Sequence, residues 1–293
     1  MTNTIVTKPD VAAFFDKDSN TFSYVVKDPA SSSCAIVDSV LDFDYASGGT
    51  SHKGADEIIA YVTTHKLKVE WLIETHVHAD HISAAPYIQS KVGGKIGIGE
   101  QITTVQETFA KVFNEGDDFL HDGSQFDFLF EDGEQFQIGD MQCMALHTPG
   151  HTPACFTHVL GDAVFVGDTL FMPDAGTARA DFPGGDAGVL FDSVQRILAL
   201  PEDHRIFMCH DYCPNGRELE YETTVKAQRE LNIHVKKGIS KETFVELRET
   251  RDKTLAMPRL ILPSLQINMR AGHMPEAESN GLSYLKIPLN AFK

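Results

Sequence analysis

Basic residues are scarce in this chain. Twenty-five lysines and arginines face 42 aspartates and glutamates across 293 residues, a formal charge of −17. A surface that acidic repels phosphate backbones and anionic lipid, which argues against nucleic acid or a membrane as the partner. Long apolar runs are missing too: no stretch approaches the roughly 18 consecutive apolar residues that span a bilayer. Residues 1–10 carry no basic cluster followed by an apolar core, so the start does not read as a secretion signal. The five cysteines, Cys34, Cys143, Cys155, Cys209 and Cys213, are odd in number, scattered and without a C-x-x-C pair. That excludes a disulfide framework and a zinc knuckle, and free thiols point to a reducing, cytoplasmic setting. Linkers rich in Gly, Ser and Pro, low-complexity tracts and internal repeats are absent as well. Apolar residues at 42% and charged residues at 23% leave an ordinary globular composition. What the chain has in excess is histidine, 13 of them.

The hydrophobic pattern sets out the elements. Residues 22–26 and 34–40, separated by Asp28-Pro29-Ala30-Ser31, read as a hairpin. A short amphipathic helix over 56–64 and a buried strand over 69–75 follow, and that strand delivers the chain into His76. Asp80 is placed to cap a helix over 81–91 that ends at Gly93-Gly94. After a strand over 95–98, Ile102, Val105, Phe109, Val112 and Phe113 mark one helical face. Residues 126–168 are β in pattern, with D-G and G-D turns; a helix over 188–200 and a strand over 205–209 come next. Beyond 215 the chain reads as helical to about 254, and 258–263 return it to extended structure. β-rich stretches each followed by helix predict an α/β fold, a sandwich with helices on its outer faces. One domain over 1–293 is expected, with a helical C-terminal extension from about 216.

Histidine carries the chemistry. Thr75-His76-Val77-His78-Ala79-Asp80-His81 packs four potential metal ligands into six residues. A lone histidine at a strand end is more often structural, but crowded imidazoles and a carboxylate are costly to desolvate unless they hold something. Further candidates stand at other strand ends. These are His151 in His147-Thr148-Pro149-Gly150-His151-Thr152, Asp168 in Val166-Gly167-Asp168-Thr169, and His210 in Cys209-His210-Asp211-Tyr212. Cys155 and Cys209 lie near these ligands and read as packing residues. Ligands distant in the chain but all at strand ends suit a site on the open edge of a sandwich.

With H-x-H-x-D-H at 76–81, the P-G-H-T turn at His151, Asp168 and His210, residues 20–212 resemble the metallo-β-lactamase-fold superfamily. The resemblance implies an αββα sandwich and leaves the reaction open, because that superfamily hosts hydrolases, nucleases and oxidoreductases. Two enzyme readings compete. In the first, glyoxalase-II-like, two zinc or mixed metals share Asp168; His76, His78 and His151 hold one, while Asp80, His81 and His210 hold the other. That pair hydrolyses an ester or thioester. In the second, His76, His151 and Asp168 hold one Fe(II) per chain as a 2-His-1-carboxylate set.

The segment after Asp168 favours the second. Glyoxalase-II-type chains carry G-C-G-R-F-F-E-G after G-D-T-L-F, whereas this chain has Arg179-Ala180-Asp181-Phe182. That is similar to the R-x-D-F of the persulfide dioxygenases, and His210-Asp211-Tyr212 and Asn268-Met269-Arg270-Ala271-Gly272 look like their H-D-Y and N-M-R-x-G. The expectation is therefore an iron-dependent persulfide dioxygenase that oxidises glutathione persulfide with O₂ to sulfite and glutathione. The thioester hydrolase is the alternative, and a non-catalytic persulfide-binding sensor a third reading. Under the dioxygenase reading, His78, Asp80, His81 and His210 fix ligand orientation through hydrogen bonds. Tyr212 orients groups at the iron, and Arg179 and Arg270 meet glutathione carboxylates. The setting is cytoplasmic, with no nucleic acid or membrane partner and a homodimer left open. Two features depart from the family pattern: Gly176-Thr177-Ala178 replaces its G-C-G, and 214–221 looks inserted. The acidic surface adds one requirement, a local positive patch near Arg179 and the metal to receive an anion.

Overall fold

In the computed structural model, which describes residues 6–291, the chain opens with the antiparallel strands β1 (Asp10–Asp16), β2 (Thr21–Lys27) and β3 (Ser33–Val37). β4 (Val40–Asp44) and β5 (Gly49–Ser51) lead to α1 (Lys53–Thr64), after which β6 (Lys68–Ile73) runs parallel to β3. β7 (Ile82–Ser83), α2 (Ala85–Val92), β8 (Lys95–Gly99), α3 (Ile102–Phe113) and β9 (Phe128–Phe130) complete a sheet of order β1-β2-β3-β6-β8-β9. A small sheet holds β5, β4 and β7. The second large sheet takes β10 (Gln135–Ile138), β11 (Met141–His147), β12 (Phe156–Leu160), β13 (Ala163–Phe165), β14 (Arg205–Phe207) and β15 (Glu222–Thr224) in chain order. α4 (Ala187–Leu198) joins β13 to its parallel neighbour β14. α5 (Val225–Leu231), α6 (Lys241–Asp252) and α7 (Ile261–Asn268) follow.

The period of two along the strands decides the layering. On β3, Cys34 and Ile36 join a core with α1, α2 and α3, while Ala35 and Val37 face the other way. The second core lies between the sheets, where Phe22, Tyr24 and Phe130 meet Phe136, Phe156, Phe165 and Phe207. A third places Val164 and Ile206 of the second sheet under Leu190, Val194 and Ile197 of α4 and Phe244 of α6. Helix, sheet, sheet, helix is the result, the αββα order expected from the sequence. No helix among the described residues is long and apolar enough to cross a membrane.

Three expectations need correction. The helix predicted over 81–91 begins at Ala85, and Asp80 caps nothing. Pro86 decides this: it fits a first turn, where its missing N–H has no partner to lose, but would break a helix already running from His81. Ile82 and Ser83 pair instead with Leu41 and Val40. Within the stretch read as helical beyond 215, residues 222–224 form β15 on the edge of the second sheet. The stretch 258–263, read as extended, contains the start of α7, with Pro263 in the first turn for the same reason as Pro86.

Candidate metal centre

The ligand candidates leave strand ends on one edge of the sandwich: His76 just beyond β6, His151 beyond β11, Asp168 beyond β13 and His210 beyond β14. Two glycines permit the approach. Gly150 has φ +133°, and a Cβ there would stand 2.3 Å from the Leu190 backbone of α4. Gly167, at φ +50°, would drive a Cβ to 2.6 Å from the Thr75 hydroxyl. Only glycine gives those turns room, so His151 and Asp168 reach the rim.

There the ligand atoms of His76, His151 and Asp168 lie within 4.8 Å of one another, as do those of His78, Asp80 and His81. Asp168 faces both sides, with Oδ2 3.6 Å from His151 Nε2 and Oδ1 3.2 Å from His210 Nε2. Each ring has one nitrogen held. His151 Nδ1 donates to the Arg179 carbonyl at 2.7 Å, and His78 Nε2 to Asp38 Oδ1 at 3.0 Å. Neither oxygen can donate, so the held nitrogen carries a proton, and the opposite nitrogen of His151 faces Asp168. His210 Nδ1 lies 3.2 Å from the Asn20 carbonyl, and His76 Nδ1 3.0 Å from Thr75 Oγ1. The Thr21 hydroxyl lies 3.4 Å from His81 Nδ1 and 3.3 Å from His210 Nδ1. The opposite nitrogens, His76 Nε2, His78 Nδ1, His81 Nε2 and His210 Nε2, are buried without a hydrogen-bond partner, as is Asp168 Oδ1. Buried polar atoms left unpaired cost stability unless something binds them, and these are nitrogen and oxygen donors suited to a divalent metal. The residues fit a metal.

Charge is balanced within the cluster. Burial opposes an ionised Asp168, yet His210, His151 and His76 hold its carboxyl well below the usual range. Burial likewise opposes a charged His210, but the Asp168 and Asp80 carboxylates hold it up at about 9. His76 goes the other way, kept neutral by burial and by the neighbouring His78. Cys155 and Cys209 are no nucleophiles: both are buried, and burial pushes the Cys155 thiol up to about 12.

A cavity of about 610 Å³ opens in front of Asp80, His151 and Asp168, walled by Phe171, Phe182, Ile233 and Leu255. The substrate contacts expected from the sequence fare unevenly. Tyr212 lines this cavity, 55% exposed, with its ring stacked 5.8 Å from that of His210. Arg179 lines it as well, but its guanidinium is spent on Asp181 at 2.6 and 2.8 Å and on the Ala256 carbonyl at 2.7 Å. Arg270 is not among the lining residues; it pairs with Glu115 at 2.8 Å over the Phe119 ring. The cavity wall also carries Arg251 and Arg259, exposed residues of α6 and the segment after it, together with Asp18 and Asp174. No spacing signal links those arginines to ligands at least 41 positions upstream (251 − 210). The insertion is pinned in place, since Arg217 bridges Asp211 and Asp174. At the other departure the Thr177 hydroxyl lies 3.2 Å from His234 Nδ1. Two braces were given no role by the sequence reading. Thr21 is one, and Asn268 is the other, its Nδ2 donating to the carbonyls of His78 and His81 at 2.9 and 2.8 Å.

Comparison with known proteins agrees with the fold and corrects the reaction. A protein of Burkholderia pseudomallei named a probable metallo-hydrolase is 53% identical over 291 residues, 96% of this chain and 99% of that one. Glyoxylase B2 of Dictyostelium discoideum is 47% identical over 288 residues, 98% of this chain and 99% of its own length. The human mitochondrial persulfide dioxygenase ETHE1 is only 30% identical over 261 residues, 88% of this chain and 87% of its own. The crystal structure of ETHE1 from Myxococcus xanthus superposes with a TM-score of 0.71 at 27% identity, covering 90% of this chain and all of that one.

The persulfide dioxygenase expectation is thereby overturned, because the more similar relatives carry hydrolase and glyoxylase names. The geometry explains why the motifs misled. In R-x-D-F, Arg179 and Asp181 bind each other. In N-M-R-x-G, Asn268 braces the ligand loop and Arg270 pairs with Glu115. In H-D-Y, Asp211 is held by Arg217. These residues build scaffold that different reactions can share. The superfamily model itself matches residues 16–210, and with the αββα layers and the His/Asp cluster it places this chain in the metallo-beta-lactamase superfamily.

Proposed function

We propose that this chain is a metal-dependent hydrolase of the glyoxalase-II kind, cleaving a thioester at a two-metal centre. The donor set carries the reading: five histidines have one ring nitrogen held by the protein and turn the other toward Asp168 and Asp80. His76, His78 and His151 would hold one ion, and Asp80, His81 and His210 the other, with Asp168 reaching both. A single ion on His76, His151 and Asp168 would leave the buried His78 Nδ1 and His81 Nε2 without a partner. Bound divalent ions supply Lewis acidity for a thioester carbonyl and make water a nucleophile near neutral pH.

The chain's own residues do the rest. Asp38, Thr21, Thr75 and the Arg179 carbonyl fix the rings so that their free nitrogens converge. Phe171, Phe182, Ile233 and Leu255 give the cavity apolar walls that exclude water and seat an acyl group. Arg251 and Arg259 offer guanidinium forks to the carboxylates of a thiol such as glutathione, against the repulsion of an acidic surface. Names of relatives, a metallo-hydrolase and a glyoxylase, support hydrolysis. The test is thiol release from a glutathione thioester by the zinc-loaded protein. Turnover that Asp168→Ala abolishes is expected; O₂ uptake with a persulfide and no thioester cleavage would contradict the reading.

A further inference from the structure

The loop between Asp168 and α4 is gripped from outside by the C-terminal helices. Gln228 Nε2 donates to the Phe171 carbonyl at 2.7 Å, the Ile233 N–H to the Pro173 carbonyl at 2.9 Å, and Asn232 Nδ2 to the Gly176 carbonyl at 3.0 Å. Gly176 must be glycine here, since at φ +91° a Cβ would fall 2.1 Å from the His234 ring. The hold tightens at α6. Arg248 donates from Nη1 to the Thr177 carbonyl at 3.0 Å and from Nε to Asp252 Oδ1 at 3.1 Å. Asp252 Oδ2 then accepts the Ala180 N–H at 2.9 Å. Arg248 is 1% exposed and Asp252 4%, so this ion pair is fully inside the protein.

One residue before Ala180, the Arg179 carbonyl accepts the Nδ1 proton of His151. The Arg179–Ala180 peptide thus has its N–H bound to Asp252 and its own C=O bound to His151. A peptide unit is rigid and planar, so fixing Ala180 N fixes where the Arg179 oxygen points. Moving it would turn the His151 ring and its free Nε2 with it.

We infer that Asp252 is a positioning residue for His151, 101 positions away (252 − 151), acting through the Arg179–Ala180 peptide. Arg248, on the wall of the same cavity, holds Asp252 in turn. A buried ion pair is a weak source of stability compared with apolar packing, so its presence in α6 calls for a positional role. The C-terminal extension then does more than wall the cavity: it sets the geometry of one metal ligand. The inference rests on His151 being a ligand, and not on which reaction follows.

Two double variants isolate the link at constant charge. Arg248→Leu with Asp252→Asn removes both charges and keeps an acceptor for Ala180; Arg248→Leu with Asp252→Leu removes the acceptor as well. Each is loaded with Co(II), and its absorption spectrum and metal release to a chelator are compared with the parent. The Asn double should stay within about twofold of the parent, and the Leu double should release Co(II) about tenfold faster with an altered spectrum. Equal release from the two doubles overturns the inference. Should the Leu double fail to fold, Asp252→Glu keeps the charge opposite Arg248 but shifts the oxygen by one methylene; parent-like release and spectrum there also overturn it. Parent-like Co(II) binding by His151→Ala would instead remove the ligand reading itself, and the inference with it.

Discussion

Two of the places where this molecule buries histidines with unpartnered nitrogens differ in kind. At the rim, each ring has one nitrogen held by a carbonyl, carboxylate or hydroxyl, and free nitrogens converge on Asp168 and Asp80. Between the sheets, His158 is fully buried with both nitrogens free, packed against the rings of Phe130, Phe136 and Phe156. An orphaned nitrogen is therefore no sign of a metal by itself. The rim is a site because its rings are oriented, its free atoms converge and carboxylates share the space.

Breaking the convergence should have the largest effect. Asp168→Ala removes the one carboxylate that faces both ligand groups, and should lower thioester turnover by roughly 10³-fold or more, with metal analysis showing loss of bound metal. His81→Ala should be milder: a drop from two metals to about one, with His151 and its neighbours still loaded, read by metal analysis of the purified variant.

His158 tests the other side. Burial pushes its pKa down to about 4, against about 6.5 in an unfolded chain. A folded pKa below the unfolded one gives stability that is complete above pH 6.5 and is lost as pH falls toward 4. At pH 5 the loss is on the order of 2 kcal/mol. His158→Leu should therefore gain in melting temperature relative to the parent as pH drops from 7 to 5, with zinc content unchanged. Loss of zinc from that variant would erase the distinction between the two regions.

Orientation is the finer question. Thr21→Val keeps shape but removes the hydroxyl beside His81 and His210, and should weaken metal binding about tenfold, with Thr21→Ser restoring it. Among the cavity arginines the same contrast of held and free side chains applies. Arg251→Ala should raise KM several-fold at nearly constant kcat, while Arg179→Ala, which breaks an internal pair, should lower the melting temperature and leave KM within about twofold.

How much of this was legible in the sequence follows from distance along the chain. The 76–81 cluster announced itself because its ligands are contiguous, and the strand-end positions of His151, Asp168 and His210 followed from alternation. The sandwich with outer helices was legible from β-rich stretches each followed by helix, and the αββα order from the family resemblance. β3, in contrast, hides its two faces, because Cys34, Ala35, Ile36 and Val37 are all apolar and buried. What failed was local chemistry overruled by one residue, as Pro86 moved the start of α2, and long-range placement. Thr21 and Asn268 touch ligand residues far along the chain through hydrogen bonds that no spacing encodes, and Arg251 and Asp252 reach the cavity wall and its loop from a later helix. The reaction was misjudged because Arg179-Ala180-Asp181-Phe182, His210-Asp211-Tyr212 and Asn268-Met269-Arg270-Ala271-Gly272 were matched to a family by motif, while Arg179 and Arg270 within them pair with Asp181 and Glu115.

The central claim is a two-metal centre, and anomalous diffraction from zinc-loaded crystals measures it most directly. Two zinc peaks are predicted, one among His76, His78 and His151, the other among Asp80, His81 and His210, with Asp168 between them. A single peak on His76, His151 and Asp168, with no second site at saturating zinc, would contradict the account.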